Sequence, residues 1–324
     1  MRHQGVLVED TAANSIPISV SAPAERNLTY LALYTLIAIY GVSRVLQGFP
    51  QSAPMLAIVT LHVVPTLLFA LLHGRMIWGW RGILVFFAIC SVVSGTVEKI
   101  GITTGFPFGH YYFTDAMGPK ISGVPVFLGL AYLGMGYLSW LIASLILGWE
   151  QRDLSGWRVV ALPAFAALVM TSWDFCLDPV WSTIVRAWIW TDGGSYFGVP
   201  ISNFAGWYGN VFIIYLLFAL YLRRGATKTN AAPTRFWKVA LLFYGVSVAG
   251  NFFNLIPRTP DPVIDASGRL WALRSITGAT ALATVFTMGA FLLLAGIRAA
   301  ELRTATPHQA IPSEPSGSSN ILEP

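Results

Sequence analysis

The sequence predicts an all-α polytopic membrane protein with about eight transmembrane helices, in the range seven to nine. Three observations carry that prediction. Of the 324 residues, 55% are hydrophobic and only 11% are charged, where soluble domains carry about 25% charged residues. Apolar runs close to the roughly 20 residues that a helix needs to cross a bilayer recur along the whole chain. Lys and Arg collect between alternate runs, as they do where they orient membrane spans.

The runs fall at about 28–48, 54–73, 82–98, 125–148, 159–178, 206–222, 236–256 and 276–297. The first holds Arg44 near its end, and the third is short. With a cytoplasmic N-terminus the inner segments contain 13 Lys and Arg residues and the outer loops 6. That bias predicts an integral protein of the cytoplasmic (inner) membrane with both termini in the cytoplasm. The strongest single signal is the basic linker "RRGATKTNAAPTRFWK" at 223–238. Residues 1–25 lack the basic-then-apolar pattern of a cleaved leader and read as a flexible tail. Residues 300–324, rich in Pro and Ser, read the same way, leaving a transmembrane domain at 26–299.

Several function classes are not supported. The net charge of +5 is accounted for by span orientation, so nucleic acid is not an expected partner. The two cysteines, Cys90 and Cys176, lie in apolar runs and suit neither a disulfide framework nor structural zinc. The chain shows no Gly-rich phosphate loop, serine nucleophile elbow or His-Glu-x-x-His motif.

Two outer connections, 99–124 and 179–205, are long yet rich in Gly, Pro and aromatics rather than charge. Such segments belong at the membrane interface or in a buried re-entrant position. They also resemble each other. The first unit runs Glu98, "YYFTD" (111–115), "GVP" (123–125), then a span; the second runs Asp174, "WIWTD" (188–192), "GVP" (198–200), then a span. Both units start from spans running in the same direction, which places their acidic residues on one side at similar depth. A pair of helical hairpins facing one pocket is the expectation.

Carboxylates near a membrane interior are costly, about 2.5–3.5 kcal/mol at a helix centre and less toward the ends. Glu98, Asp174 and Asp178 are therefore the leading catalytic candidates, with Asn203 in "PISNFAGW" beside them and Asp115, Asp192 and Tyr111 behind. The plainer readings are an interfacial carboxylate paired with Lys99 or Arg186, a helix-ending Asp178, turn-forming Asp115 and Asp192, and a helix-capping Asn203. Asp174 and Asp178 are four apart and share a helix face. One protonated and one ionised carboxyl would serve acid/base chemistry; the same spacing would also hold magnesium on a diphosphate. Around them the aromatics are dense, with Phe106, Phe108, Tyr112, Trp173, Trp181, Trp188, Trp190, Phe204 and Trp207 the candidate substrate-binding set. Together they suit a long apolar, polyunsaturated ligand and a developing carbocation. "NFFN" (251–254) is expected to line the same cavity, and His73 to lie at the interface.

The blocks "EKIGITTGFPFGHYYFTDAMGPKISGVPV" and "WDFCLDPVWSTIVRAWIWTDGGSYFGVPISNFAGWYGN" resemble the membrane carotenoid biosynthesis family that includes bisanhydrobacterioruberin hydratase and bacterial carotenoid 1,2-hydratases. The resemblance covers about residues 30–295 and is strongest at 95–210. It implies water addition, without cofactor or metal, to the terminal C1–C2 double bond of an acyclic ψ end group. The implied partners are lycopene, γ-carotene or a related carotenoid, the lipid bilayer and other carotenoid biosynthesis enzymes. On residue chemistry, Glu98 or Asp174 would be the acid, with Asp178 and Asn203 positioning the water. A magnesium-dependent prenyltransferase, a proton-initiated end cyclase, and a carotenoid-binding or transport protein are the alternatives.

Overall fold

The computed structural model describes residues 23–149, 154–224, 232–256 and 261–304. Most of the two expected tails, Arg152, Arg258 and the middle of the basic linker with Lys228 lie outside the described residues. Seven helices among the described residues are long and apolar enough to cross a membrane. The helices are α1 (Pro23–Leu46), α2 (Met55–Thr104), α3 (Val126–Leu147), α4 (Arg158–Asp178), α5 (Ile201–Arg223), α6 (Thr234–Asn251), α7 (Leu273–Thr284) and α8 (Ala290–Thr304). A π turn, Pro179–Ile184, prolongs α4, and another, Val285–Gly289, joins α7 to α8 in one crossing.

α2 has 50 residues, and at about 1.5 Å per residue it is far longer than a hydrocarbon core about 30 Å thick. It is broken at Gly79, whose φ of 65° and ψ of 174° are open only to glycine. Arg75 and Arg81 flank the break, and the Arg75 guanidinium lies over the Trp80 ring, an arrangement suited to a membrane surface. The two halves match the second and third expected spans, and the seven long apolar helices fall within the predicted range of seven to nine. The second half continues to Thr104, past the short run read from hydropathy.

α3 is the axis of the bundle. Every residue from Tyr132 to Leu145 is buried, as befits a helix apolar all round. α2 and α3 form one closely packed hairpin, α4 and α5 the other, and the hairpins pack on each other through α3–α4 and α2–α5 contacts. Gly134 lets α3 lie directly on Thr66 of α2, small residues being the usual means of close approach between membrane helices. α1, α6 and α7–α8 surround this centre.

The internal repeat is a structural one. Strand β1 (Tyr111–Phe113) pairs antiparallel with β4 (Trp188–Trp190), so the two aromatic triplets meet each other, with Tyr112 opposite Ile189 at the centre. The bonds flanking the pair are reciprocal: Thr114 N donates to the Ala187 carbonyl at 3.0 Å and Thr191 N to the His110 carbonyl at 2.9 Å. Each Gly-Val-Pro repeats its backbone too, with φ of 52° and 88° at Ser122 and Gly123, and 53° and 87° at Phe197 and Gly198. Pro125 and Pro200 then start α3 and α5 from extended backbone. Two short hairpins, β2 (Lys120–Ile121) with β3 (Val124–Pro125) and β5 (Val263–Ile264) with β6 (Leu270–Trp271), complete this outer layer.

One sequence-based reading changes here. His73 is not at an interface but wholly buried: its Nε2–H donates to the Phe236 carbonyl at 3.1 Å, and Nδ1 accepts from the Tyr137 hydroxyl at 2.6 Å. Arg44 is also buried, its guanidinium donating to the side-chain carbonyls of Gln47 and Asn251, which tie α1 to α6.

Candidate active site

The C-terminal ends of α2 and α4 and the N-terminal end of α5 bring the acidic candidates together. Glu98 lies near the end of α2, Asp174 and Asp178 one turn apart on α4, and Asn203 and Trp207 one turn apart on α5. They line a cavity of about 40 Å³. The strand pair roofs it. Strand alternation turns Tyr111, Phe113, Trp188 and Trp190 inward and Tyr112 outward. Trp190 Nε1 donates to the Phe108 carbonyl at 3.1 Å and so fixes the Phe108 ring in the wall. Beneath, the Tyr132 ring of α3 stacks on Trp207 with centroids 4.6 Å apart and planes 7° from parallel. Counting from the shared Gly-Val-Pro, these two occupy equivalent positions in the two units.

Glu98 is held by hydroxyl groups on both oxygens. Tyr111 donates to Oε2 at 2.5 Å and Tyr132 to Oε1 at 3.0 Å; Asn210 Nδ2 in turn donates to the Tyr132 oxygen at 3.1 Å. Burial, with the Glu98 carboxylate next to it, pushes the Tyr111 phenol up, so this residue stays a proton donor. Asp174 and Asp178 share one amide: Asn203 Nδ2 donates to Asp174 Oδ2 at 3.2 Å and to Asp178 Oδ2 at 2.5 Å.

These bonds replace the plainer readings. Glu98 is 3% exposed and both aspartates 1%, and they accept hydrogen bonds from tyrosines and an amide. Lys99 bonds the Ser122 carbonyl instead. Pro200, not Asn203, is the N-cap of α5, and the helical backbone runs on through Asp178 into the π turn.

Among the described residues no Lys, Arg or His lines the cavity. Three carboxyl groups thus share an apolar space without a counter-cation. Two like charges about 4 Å apart repel by about 4 kcal/mol at an effective dielectric of 20, so the cluster favours carrying protons. Among the described residues no group of three or more His, Cys, Asp or Glu is arranged to hold a metal ion.

Of the other candidates, Trp173 lines the cavity, set edge-on to Trp207. Asp115 and Asp192 do not reach it. Both are exposed on the outer surface, Asp115 paired with Lys120 and Asp192 with His110, each at 2.9 Å. Phe106 and Tyr112 are also exposed. Trp181 is buried behind the wall, stacked on Trp188, and Phe204 packs against Phe175 and Tyr196. The "NFFN" segment is not part of this cavity: Asn251 bonds Arg44 and Thr284, and Asn254 lines a separate pocket with Gln47 and Trp181. The residues that sequence reading missed are Tyr132 and Asn210, with Leu128, Ala131 and Leu177 in the wall. Tyr132 had one available signal, its equivalence to Trp207 within the repeat.

The family model for "Carotenoid biosynthesis protein" matches residues 53–260, which include every residue lining the cavity. The chain belongs to this family. It is also 30% identical over 188 residues to a bisanhydrobacterioruberin hydratase from Haloarcula japonica, a match covering 57% of this chain and 61% of that protein. The chain thus spans about three fifths of the length of that relative. No solved structure matches.

Proposed function

We propose that the protein adds water across the terminal C1–C2 double bond of an acyclic carotenoid end group, giving a tertiary alcohol. The observation that carries this reading is the cavity itself: three carboxyl groups and one amide, without a cation, inside a box of aromatic rings.

The Asp174–Asp178 pair holds a proton between its two oxygens, on either side of the Asn203 amide, and is the acid. The alkene π pair takes that proton at C2, and the vacancy falls on the tertiary C1. The faces of Trp173, Trp188, Trp190 and Trp207 stabilise the cation, as π faces attract positive charge. A water molecule donates its lone pair to C1. Glu98 takes the proton that the water loses, with Tyr111 and Tyr132 moving to its other oxygen lone pairs. Return of that proton to the aspartate pair restores the site. The sum is alkene plus water to alcohol, with no electron left over, so the chemistry calls for no redox partner.

In this reading the substrate is lycopene, γ-carotene or a related carotenoid with a ψ end. The protein sits in the cytoplasmic (inner) membrane with both termini inside, and the cavity faces the outer leaflet. A diphosphate-using transferase fits less well, because no basic side chain lines the cavity to receive a diphosphate.

The test is conversion in a carotenoid-producing host grown in heavy-oxygen water, with extracts run by mass spectrometry. A product heavier by one labelled water, absent in Asp174→Asn and Glu98→Gln although both variants accumulate, is the expected result. A product of unchanged mass would indicate cyclisation, a product heavier by a prenyl unit would indicate transfer, and either would overturn the reading.

A further inference from the structure

The cavity is closed by buried side chains on every side but one. Of its lining residues only Leu128 and Ala131 are partly exposed. They lie on one face of α3, in the first two turns after Pro125, within a helix that crosses the membrane. Ala131 is also the smallest side chain around the cavity.

The opening lies where the internal repeat is broken. Counting from the shared Gly-Val-Pro, the counterparts of Leu128 and Ala131 on α5 are Asn203 and Gly206. There the first connection closes over the helix: a Cβ on Gly206 would come within 2.8 Å of Phe108 and 2.9 Å of Pro107. Counting back from the shared aromatic triplets, the segment that would close over α3 is Ile184–Val185. That stretch instead ends the π turn prolonging α4, and Val185 lines the separate pocket beside Met55 and Pro50. The α3 side is left without its lid.

We propose that Leu128 and Ala131 form a lateral portal, through which the carotenoid end group enters from the bilayer and along which the polyene extends once the end is bound. This rests on the carotenoid reading above and adds the route and a size filter. The cavity has room for only about 40 Å³, so no more than the tip of the end group enters and the rest of a bilayer-length chain stays outside. Keeping that chain in lipid avoids exposing apolar surface to water, at about 25 cal/mol per Å².

The test assays hydration of a full-length acyclic carotenoid in lipid vesicles with wild-type protein, Ala131→Trp, the milder Ala131→Leu, and Leu168→Trp, an equally bulky change at an exposed position of α4 that does not line the cavity. Hydration falls by roughly 100-fold in Ala131→Trp, the scale expected when a substrate cannot reach its reacting position, and by less in Ala131→Leu. Leu168→Trp stays within about threefold of wild type, and the thermal midpoint of Ala131→Trp in detergent stays close to that of wild type, which shows that the variant is folded. Activity within about threefold of wild type in Ala131→Trp would overturn the portal, and so would an equal loss in Leu168→Trp. If wild-type protein does not hydrate the carotenoid, the hydration reading falls, and the portal with it.

Discussion

Replacing Asn203 by Leu tests the acid half of the site. The side chain is 2% exposed, and its one amide nitrogen serves both carboxyl groups, at 3.2 Å to Asp174 and 2.5 Å to Asp178. Leu has the branching and heavy-atom count of Asn, and its bulkier methyl groups make the control on folding part of the test. Hydrogen bonds to charged groups are worth about 1.5–3 kcal/mol each. The aspartates recover part of that by bonding to one another through their shared proton. The net loss in the transition state is then about one such bond, about 2.7 kcal/mol, or roughly 100-fold in kcat. The assay is single-turnover hydration of an acyclic carotenoid in vesicles, with thermal unfolding in detergent as the control on folding. A variant within about threefold of wild type, beside an inactive Asp174→Asn, would refute the sharing of this amide as a working part of the site.

Three further outcomes follow from the geometry. In Gly101→Ala, one turn beyond Glu98, the new Cβ would come within 2.8 Å of the Phe108 ring and 2.9 Å of the Tyr111 hydroxyl; lifting the roof off Glu98 should lower kcat by about tenfold, close to the value for Tyr111→Phe, with the protein still folded. Asp115→Asn and Asp192→Asn should each keep activity within about twofold of wild type, because both carboxylates are exposed on the surface, outside the cavity. Arg44→Ala leaves the side-chain carbonyls of Gln47 and Asn251 without their buried donor, which should cost about 2–4 kcal/mol of stability, read as a lower thermal midpoint in detergent.

The spans were legible because a helix in lipid must be apolar over its whole length, and runs of that length stand out in any sequence. The break in α2 was legible less directly, through Arg75 and Arg81 on either side of Gly79. The repeat was visible in residues, but its meaning was not: nothing in "YYF" and "WIW" says that the two triplets hydrogen-bond to each other. Glu98, Asp174 and Asp178 were legible because helix ends are interpretable by depth and spacing. Asp115 and Asp192 carry the same chemistry in the same motif, yet fall outside. Their direction is set by loop backbone, for which sequence offers no periodicity. Tyr132 was hidden for the opposite reason, since one tyrosine in an apolar helix looks like packing. "NFFN" was misplaced because the stacked Trp181 and Trp188 rings divide two pockets that are adjacent in the bundle.

The central claim is water addition by the three-carboxyl cavity, and the most direct measurement is made with purified protein in lipid vesicles. An acyclic carotenoid is supplied in heavy-oxygen water, in parallel with Asp174→Asn and Glu98→Gln. The account predicts one labelled oxygen at C1 per end converted, and loss of that product in both variants with carotenoid binding retained. Label incorporation that continues unchanged in both variants would contradict the account, and so would a carotenoid that binds to wild-type protein and is recovered without label.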